Sequence, residues 1–207
     1  MTLAVAGLLL FVSGAASGGE GSAVPLRLVK SSQDAPARAL ALSTASLYAG
    51  NDRWKPYLAG EAACPGGERT DLPLARQQRT LACLVNWARK RRGLEPLALA
   101  PPLNVSSLKK AEDIARCENF DHSPCGGDWT FRVRAAGYTG AVGENLYLAE
   151  GPWRAPRVVV DGWLNSPTHR ANLFGPQWRR QGLAAVAVDT FQGRRGVTVW
   201  VNEFGDR

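Results

Sequence analysis

The only two histidines among the 207 residues stand in short polar segments that are rich in turn-forming residues. His122 lies within FDHSP, and His169 lies within WLNSPTHRANL. Between them Glu144 stands in VGENL, where a glycine precedes the carboxylate and an apolar stretch begins two residues after it. Two neutral imidazoles and a carboxylate are a common set for binding a divalent metal or for moving a proton near neutral pH.

The spacing of these three residues requires a tertiary fold to bring them together. Glu144 follows His122 by 22 residues, and His169 follows Glu144 by 25, so no single helical turn can join them. We predict that their side chains converge in one cleft. The alternative for each is structural: His122 caps a turn, His169 orients a helix end, and Glu144 accepts backbone N–H bonds in a loop.

The elements that must position these residues begin with helices. Leu81, Leu84, Val85 and Ala88 have the spacing of an amphipathic helix, and Gly93 is a natural stop. A pair of prolines at 101 and 102 precedes a second helix. Asp128 is expected to cap a third, short helix that ends at Gly137. A fourth helix is expected to start near Pro156.

Two strands are predicted near the end of the chain. Residues 182–190 and 196–204 are rich in β-forming residues, and residues 191–195 form the connection of a hairpin. Helices that are separated in sequence from a terminal hairpin indicate an α+β layered domain.

The beginning of the chain has the features of an export signal. An apolar run at residues 3–12 is followed by small residues at 13–18, although no Lys or Arg precedes Arg27. We predict a signal peptide at residues 1–19, secretion of the protein, and no stable membrane span after cleavage.

An extension separates this leader from the main domain. Residues 20–76 show no clear periodicity and are interrupted by prolines and glycines. We predict a partly ordered N-terminal extension there, followed by one domain at residues 77–207. Trp54, Tyr57 and Leu58 are expected to pack on that domain.

Four cysteines form an even set that is compatible with two disulfides. Of the three pairings that four cysteines allow, we favour Cys117–Cys125, which would pin the loop of His122, and Cys64–Cys83, which would tie the extension to the first helix. No CxxC pair occurs, so a tetrathiolate zinc site is not expected.

The net charge of +7 predicts attraction to anionic surfaces. Its densest cluster, RKRR at residues 89–92, lies at a predicted helix end, where cations complement the helix dipole. No nucleic-acid-binding motif occurs, and export would separate the protein from the genome. We therefore do not expect nucleic acid as a partner. If the protein has an electrostatic partner, we expect it to be an anionic wall polymer or a lipid headgroup.

Familiar catalytic motifs are missing from the sequence. It contains no G-x-S-x-G elbow, no HExxH helix and no glycine-rich phosphate loop. The cysteines look structural, which disfavours a cysteine protease.

Six short segments occur along the chain in this order: LVNWAR, KAEDI, FDHS, GENL, WLNSPTHRANL and WVNEFG. Together they resemble the CAP superfamily of cysteine-rich secretory, antigen-five and pathogenesis-related proteins, and its bacterial branch in particular. The resemblance covers roughly residues 77–207.

The resemblance implies a three-layer α-β-α sandwich and a cleft lined by His122, Glu144 and His169. In the family this cleft is sometimes occupied by a divalent cation, so a labile ion such as zinc is expected here, with these three residues as ligands. Eukaryotic members carry a second glutamate where this chain has Ser166, and a strand histidine that has no counterpart near residues 197–200.

Two functions follow from the resemblance. The first is a secreted, non-enzymatic binding module whose cleft takes a lipid, a wall-derived compound or another small ligand. The alternative is a metal-dependent hydrolase of peptide or cell-wall material, with Glu144 as general base. Since the family has many members without established catalysis, the binding module is favoured.

Overall fold

The computed structural model of the chain describes residues 53–207. The predicted signal peptide and the first part of the extension lie outside these residues. Short 3₁₀ turns occur at Lys55–Tyr57 and Gly151–Arg154. The helices are α1 (Leu74–Arg91), α2 (Pro101–Cys117), α3 (Phe131–Ala135), α4 (Pro156–Asn165) and α5 (Pro167–Leu173), and the strands are β1 (Ala98–Leu99), β2 (Val142–Glu150), β3 (Arg180–Phe191) and β4 (Arg194–Gly205).

The first two helices confirm the pattern of the sequence. The four predicted apolar positions of α1 are fully buried, and Gly93 follows the helix with a φ of +77°. A positive φ favours glycine, which ends helices for this reason. The helix begins at Leu74, three residues before the predicted start of the domain. Helix α2 begins at the proline pair, where a missing N–H leaves no helical bond unmade.

The later helices differ from the prediction in two places. Asp128 does not cap α3 directly; its carboxylate accepts bonds from the backbone N–H and the hydroxyl of Thr130 in the preceding turn. The segment that carries His169 forms a separate helix, α5. Pro167 causes this break, because it disfavours the helical conformation at Ser166, which is extended at φ −90° and ψ 120°.

The sheet has the strand order β1-β3-β4-β2. Strands β3 and β4 form the predicted hairpin, and their turn at Gln192 and Gly193 has positive φ at both residues, as a type I′ turn requires. Strand β2 pairs antiparallel with β4, and β1 pairs parallel with β3. Strand β2 was not predicted, because its first five residues are all buried and include a glutamate and an asparagine.

Helices cover both faces of this sheet. Trp200 and Phe204 of β4 share a core with α1 and α4, whereas Val197, Val199 and Val201 share a second core with α2. Successive side chains of a strand point to opposite faces, so one strand supplies both cores. The α+β fold and its three-layer α-β-α arrangement are therefore confirmed.

Helix α2 lies unusually close to the sheet at Gly182 of β3. A Cβ added to this glycine would lie 2.1 Å from the carbonyl carbon of Leu103 in α2. Only glycine permits this approach. Because Gly182 is also the register partner of Glu203 in β4, the close approach brings the polar side chains of α2 onto the strands that carry the candidate site.

The described part of the extension packs on the domain, as predicted for its aromatic residues. Leu58 is 6% exposed and belongs to the core under α1 and α4, with Trp54 and Tyr57 packed against that core. The predicted Cys64–Cys83 disulfide is confirmed and fastens this segment to α1. Within residues 53–207, no helix combines the length and the apolar character needed to cross a membrane.

Candidate functional site

His122 and Glu144 are in direct contact. The imidazole Nδ1 of His122 lies 2.6 Å from Oε1 of Glu144. His122 belongs to the loop between α2 and α3, and Glu144 lies on β2 with only 4% of its surface exposed. The carboxylate therefore fixes the orientation of the imidazole ring, as buried carboxylates do for functional histidines in general.

Lys110 of α2 is a third member of this site. Its ammonium lies 3.5 Å from Oε2 of Glu144 and donates hydrogen bonds to the backbone carbonyls of Trp129, at 2.8 Å, and His122. The side chain is almost fully buried. No role was predicted for it, although a signal exists in the sequence: Lys110 lies on the same helical face as Leu103, Ser106 and Ile114, where a charge needs a partner.

Glu203 of β4 is the fourth member and was also not predicted. It lies directly opposite Glu144 in the register of β2 and β4, and it is fully buried. Ser106 of α2 donates a hydrogen bond to its Oε1 at 2.7 Å. Burial, reinforced by the negative charge of Glu144, raises the pKa of Glu203 to about 8. An acid within WVNEFG, where large apolar residues stand on both sides, was the available signal.

The two carboxylates share one environment. Neither Oε2 of Glu144 nor Oε2 of Glu203 accepts a hydrogen bond within the described residues. Directly opposed side chains on antiparallel strands have Cβ atoms roughly 4.5–5.5 Å apart, and two like charges at such a distance disfavour simultaneous ionisation. Glu203, whose pKa is raised to about 8, is therefore protonated near neutral pH.

The loop that carries His122 is held at several points. The predicted Cys117–Cys125 disulfide is confirmed and closes the loop around His122, with Cα atoms 5.6 Å apart. Inside the loop, the Asp121 carboxylate accepts a bond from the backbone N–H of Ser123 at 2.8 Å. Together with the bond from Lys110 to the carbonyl of His122, these contacts fix the loop before any ligand arrives.

The contact between α2 and α3 is an ion pair. Asp113 accepts two hydrogen bonds from the guanidinium of Arg132, at 2.6 and 2.8 Å. Arg132 holds the pKa of this carboxyl below its usual value, and Arg116 adds to the effect. The pair anchors α3, and with it the segment of Trp129, beside the site.

One ring nitrogen of His122 makes no hydrogen bond in the described part of the chain. The ring packs edge-on against Trp129, with centroids 6.5 Å apart, and the side chain is 15% exposed. Nδ1 is engaged by Glu144, whereas Nε2 has no hydrogen-bond partner among residues 53–207. Nε2 is therefore the atom of this site that can meet a ligand from solution.

His169 is connected to the site through the main chain. Its carbonyl, on α5, accepts a hydrogen bond from Nδ2 of Asn145 at 3.0 Å. Asn172 donates to the carbonyl of Glu144 and to Oδ1 of Asn145, both at 3.0 Å. Since Asn145 follows Glu144 on β2, its side chain points to the opposite face of the sheet. Helix α5 is thus fastened behind Glu144 through Asn145 and Asn172.

A zinc ion does not fit the donor set that the structure assembles. Within residues 53–207, no three His, Cys, Asp or Glu side chains are grouped so that they could hold a metal ion. His122, Glu144 and His169, the predicted ligands, therefore do not come together as a ligand set. Lys110 gives a physical reason, since its ammonium already stands beside the carboxylate that a divalent cation would need. Cation binding in solution stays a prediction.

A family model described as "CAP: Cysteine-rich secretory protein family" matches residues 83–204 of this chain. The chain is also 30% identical over 123 residues to the uncharacterized protein YkwD of Bacillus subtilis (strain 168). That match covers 58% of this chain and 44% of the relative, so the chain spans less than half of the relative's length.

Solved structures with the same fold include proteins from three bacteria. An outer surface protein of Borrelia burgdorferi has a TM-score of 0.55 at 20% identity, covering 66% of this chain and 96% of its own. An extracellular protein with an SCP domain from Bacillus anthracis has a TM-score of 0.53 at 21% identity, and the match covers 65% of this chain and 41% of that protein. A cysteine-rich secretory protein of Staphylococcus aureus has a TM-score of 0.50 at 17% identity, and the match covers 66% of this chain and 41% of that protein.

Proposed function

Because the chain belongs to the CAP, or cysteine-rich secretory protein, family, we propose that it is an exported, non-enzymatic binding module. The proposal of export is supported by the descriptions of two structural neighbours as an extracellular and an outer surface protein. Two disulfides within residues 53–207 support it as well, because disulfides persist in oxidising compartments.

The observation that carries the binding function is the partly exposed imidazole of His122. Its Nδ1 is held by a buried carboxylate, its ring lies against Trp129, and its Nε2 is without a partner among the described residues. A site of this kind offers one directed hydrogen bond beside an aromatic surface. It suits a small ligand that has a polar group on an apolar body, such as a lipid or a wall-derived fragment.

The contacts of Glu144 make the alternative hydrolase the weaker candidate. As a general base, Glu144 would have to receive a proton from a water molecule beside a metal. Instead its Oε1 is bound to His122, its Oε2 lies beside Lys110, and no metal-ligand group surrounds it among the described residues. The four cysteines are paired and supply no thiol nucleophile.

Nuclear magnetic resonance of the imidazole rings tests the binding function directly. With two histidines in the chain, a sample labelled with nitrogen-15 at histidine shows two ring systems, which His169→Ala assigns. We expect dodecanoate or a soluble peptidoglycan fragment to shift the signals of His122. His122→Ala should weaken binding of the same probe at least tenfold, whereas His169→Ala should retain it.

Two outcomes would contradict the proposal. If neither probe moves the signals of His122, this imidazole is not a ligand-binding group. If zinc shifts both rings together, and hydrolysis of wall material appears with zinc and disappears on chelation, the metal-dependent hydrolase is the better description.

A further inference from the structure

A cluster of three aromatic rings lies far from the His122 loop in sequence, where the N-terminal segment meets α5. Trp54 and Tyr57 come from the N-terminal segment, and Phe174 directly follows α5. Their ring centroids are 5.5 Å apart for Trp54 and Tyr57, 6.2 Å for Trp54 and Phe174, and 5.6 Å for Tyr57 and Phe174. Three segments of the chain are thus joined by one small aromatic surface, since the end of α1 also reaches it through Arg92.

Three arginines cover this aromatic surface. The guanidinium carbons of Arg53 and Arg170 lie 4.7 and 4.5 Å from the ring centroid of Trp54. That of Arg92 lies 5.7 Å from the ring centroid of Phe174. These distances are within the range of cation–π attraction, which orients the guanidinium groups over the rings. We call Arg53, Arg92, Arg170 and the three rings the arginine-aromatic patch.

Within residues 53–207, no carboxylate forms a salt bridge with any of these three arginines. The salt bridges in this part of the chain that involve arginine are made by other arginines. Burial lowers the pKa of Arg170, and the positive charge of Arg53 lowers it further. Among the described residues these like charges have no carboxylate beside them, and like charges that are held together repel one another. An added anion would reduce this repulsion.

The helix dipole accounts for only part of this charge. Arg92 follows the end of α1 and Arg170 lies in the last turn of α5, where cations are favourable, but Arg53 lies outside the helices, in the N-terminal segment. Arg89, in the same basic run of sequence, has a different role. It is fully buried and donates to the carbonyls of Glu95, Leu173 and Gly175, so it fastens the loop after α5 rather than contributing to the patch.

The surroundings of the patch favour a soluble anion over a membrane. Membrane-surface binding requires exposed apolar side chains that enter the bilayer. The exposed large apolar side chains of residues 53–207 are Leu99, Val105, Leu108 and Phe131, on β1, α2 and α3. The aromatic rings of the patch are partly buried and lie under guanidinium groups, so they offer little surface for insertion.

We propose that the arginine-aromatic patch binds a soluble polyanion that carries successive phosphate ester groups. All three cations are arginines, whose planar guanidinium matches the oxygens of a phosphate with two parallel hydrogen bonds. Arg53 and Arg170 share one ring, whereas Arg92 lies over another, so a chain of phosphates can reach all three. This binding does not depend on His122.

Poly(glycerol phosphate) is the probe that tests the patch, measured by calorimetry over a series of salt concentrations. We expect the variant with Arg53, Arg92 and Arg170 all changed to alanine to bind at least tenfold more weakly. The slope of log affinity against log salt should fall by about two, because each phosphate contact on a single strand contributes about 0.7. A purely structural role would leave this slope unchanged.

The matched control changes Arg76, Arg79 and Arg195 to alanine, which removes the same charge from exposed positions elsewhere. An equal loss of binding in this control would show attraction by net charge alone and would overturn the patch. Absence of binding by the unmodified protein would overturn it as well. If the triple variant fails to fold, Arg53→Ala and Arg92→Ala singly should each weaken binding about threefold.

Phosphatidylglycerol vesicles provide the second arm, since their headgroup has the same glycerol phosphate chemistry. We expect the protein to bind the polymer and not the vesicles at matched phosphate and salt concentrations. Binding to vesicles that equals or exceeds binding to the polymer, and that is lost in the triple variant, would replace the soluble polyanion with a membrane surface.

Discussion

Strands β2 and β4 place Glu144 opposite Glu203 on the face that α2 covers, and Asn145 opposite Asn202 on the face that α5 covers. The two pairs are one residue apart, and all four side chains are buried. The amides are neutral and bond to carbonyls: Asn145 to that of His169, and Asn202 to that of Gly182. The carboxylates instead have Lys110, Ser106 and His122 around them.

The polar groups on the two faces therefore have different roles: the amides hold a helix in place, and the carboxylates surround the residue that can meet a ligand. A buried amide is satisfied by a carbonyl at any pH, so the Asn145 face holds α5 in place. A buried carboxylate pair requires a cation, directed donors and a retained proton, and its state depends on pH. His122, which is partly exposed to solvent, contacts a carboxylate on this face. We infer that ligand chemistry belongs to the α2 side of the sheet and that the α5 side supports it.

Removing the cation from the carboxylate face should have the largest effect. Lys110→Met keeps the length of the side chain but leaves Glu144 without its buried ammonium and removes two hydrogen bonds to carbonyls. Loss of one partner of a buried ion pair costs about 3–5 kcal/mol. We expect a decrease of this size in the free energy of unfolding, measured with urea.

Lys109→Met is the control for this change, because Lys109 is exposed and pairs with Glu112 on the helix surface. Its cost should stay below about 1 kcal/mol. Equal losses in the two variants would mean that Lys110 does not stabilise the carboxylate face specifically.

Loss of the Cys117–Cys125 disulfide should have the next largest effect on stability. Of the two faces, it should disturb only the carboxylate face. Changing both cysteines to serine opens the loop of His122, and a short loop of this kind contributes about 2–3 kcal/mol. The ring signals of His122 should broaden in the same variant. Changing Cys64 and Cys83 to serine should also lower stability but leave those signals unaltered; broadening in both variants would argue against a separate support for the site.

The amide face should show a smaller loss. Asn172→Ala removes the Nδ2 that donates to the carbonyl of Glu144 and to Oδ1 of Asn145. Leaving such acceptors unpaired costs about 1–2 kcal/mol. Asn165→Ala is the comparison, since Asn165 is an exposed amide bonded only to Asp161 of its own helix. A loss in Asn172→Ala no greater than in this control would show that α5 is held by apolar packing instead.

Periodicity in the sequence predicted the parts of the fold that obey a simple pattern. The apolar spacing of α1, the proline pair before α2 and the β-rich runs of the hairpin all correspond to elements of the structure. Both disulfides were paired correctly from the segments they would join. Strand β2 escaped this reasoning, because its polar residues are buried on both faces and conceal the alternation of a strand.

The candidate site was only partly predictable for a related reason. His122 and Glu144 were found because their residue types are rare or placed in distinctive segments. Lys110 and Glu203 are related to them only through the approach of α2 at Gly182 and the register of β2 and β4. Those relations join residues that are up to 93 positions apart in sequence, namely Lys110 and Glu203. No local pattern expresses them.

The proton on Glu203 leads to an expected effect that has the opposite sign to the others and accumulates with pH. The usual pKa of a glutamate side chain, 4.5, applies to Glu203 in the unfolded chain, whereas the pKa in the folded protein is raised to about 8. Between these values the folded protein retains a proton that the unfolded chain has released. The free energy of unfolding of the unmodified protein therefore contains a contribution from Glu203 that decreases as the pH rises through this window.

Glu203→Gln removes that contribution, because the amide cannot ionise and its oxygen can still accept the hydrogen bond from Ser106. Lys110 and Glu144, the charged groups that face this position, are unchanged in the variant. We expect the variant to gain stability relative to the unmodified protein by about 1.4 kcal/mol for each pH unit within this window, and to gain no more once the pH exceeds about 8. Glu150→Gln, a change at a partly exposed glutamate on β2, is the control and should show no such trend. Parallel stability profiles for Glu203→Gln and the unmodified protein across the window would mean that Glu203 is ionised in the folded state, so that Lys110 neutralises both carboxylates and no proton is retained.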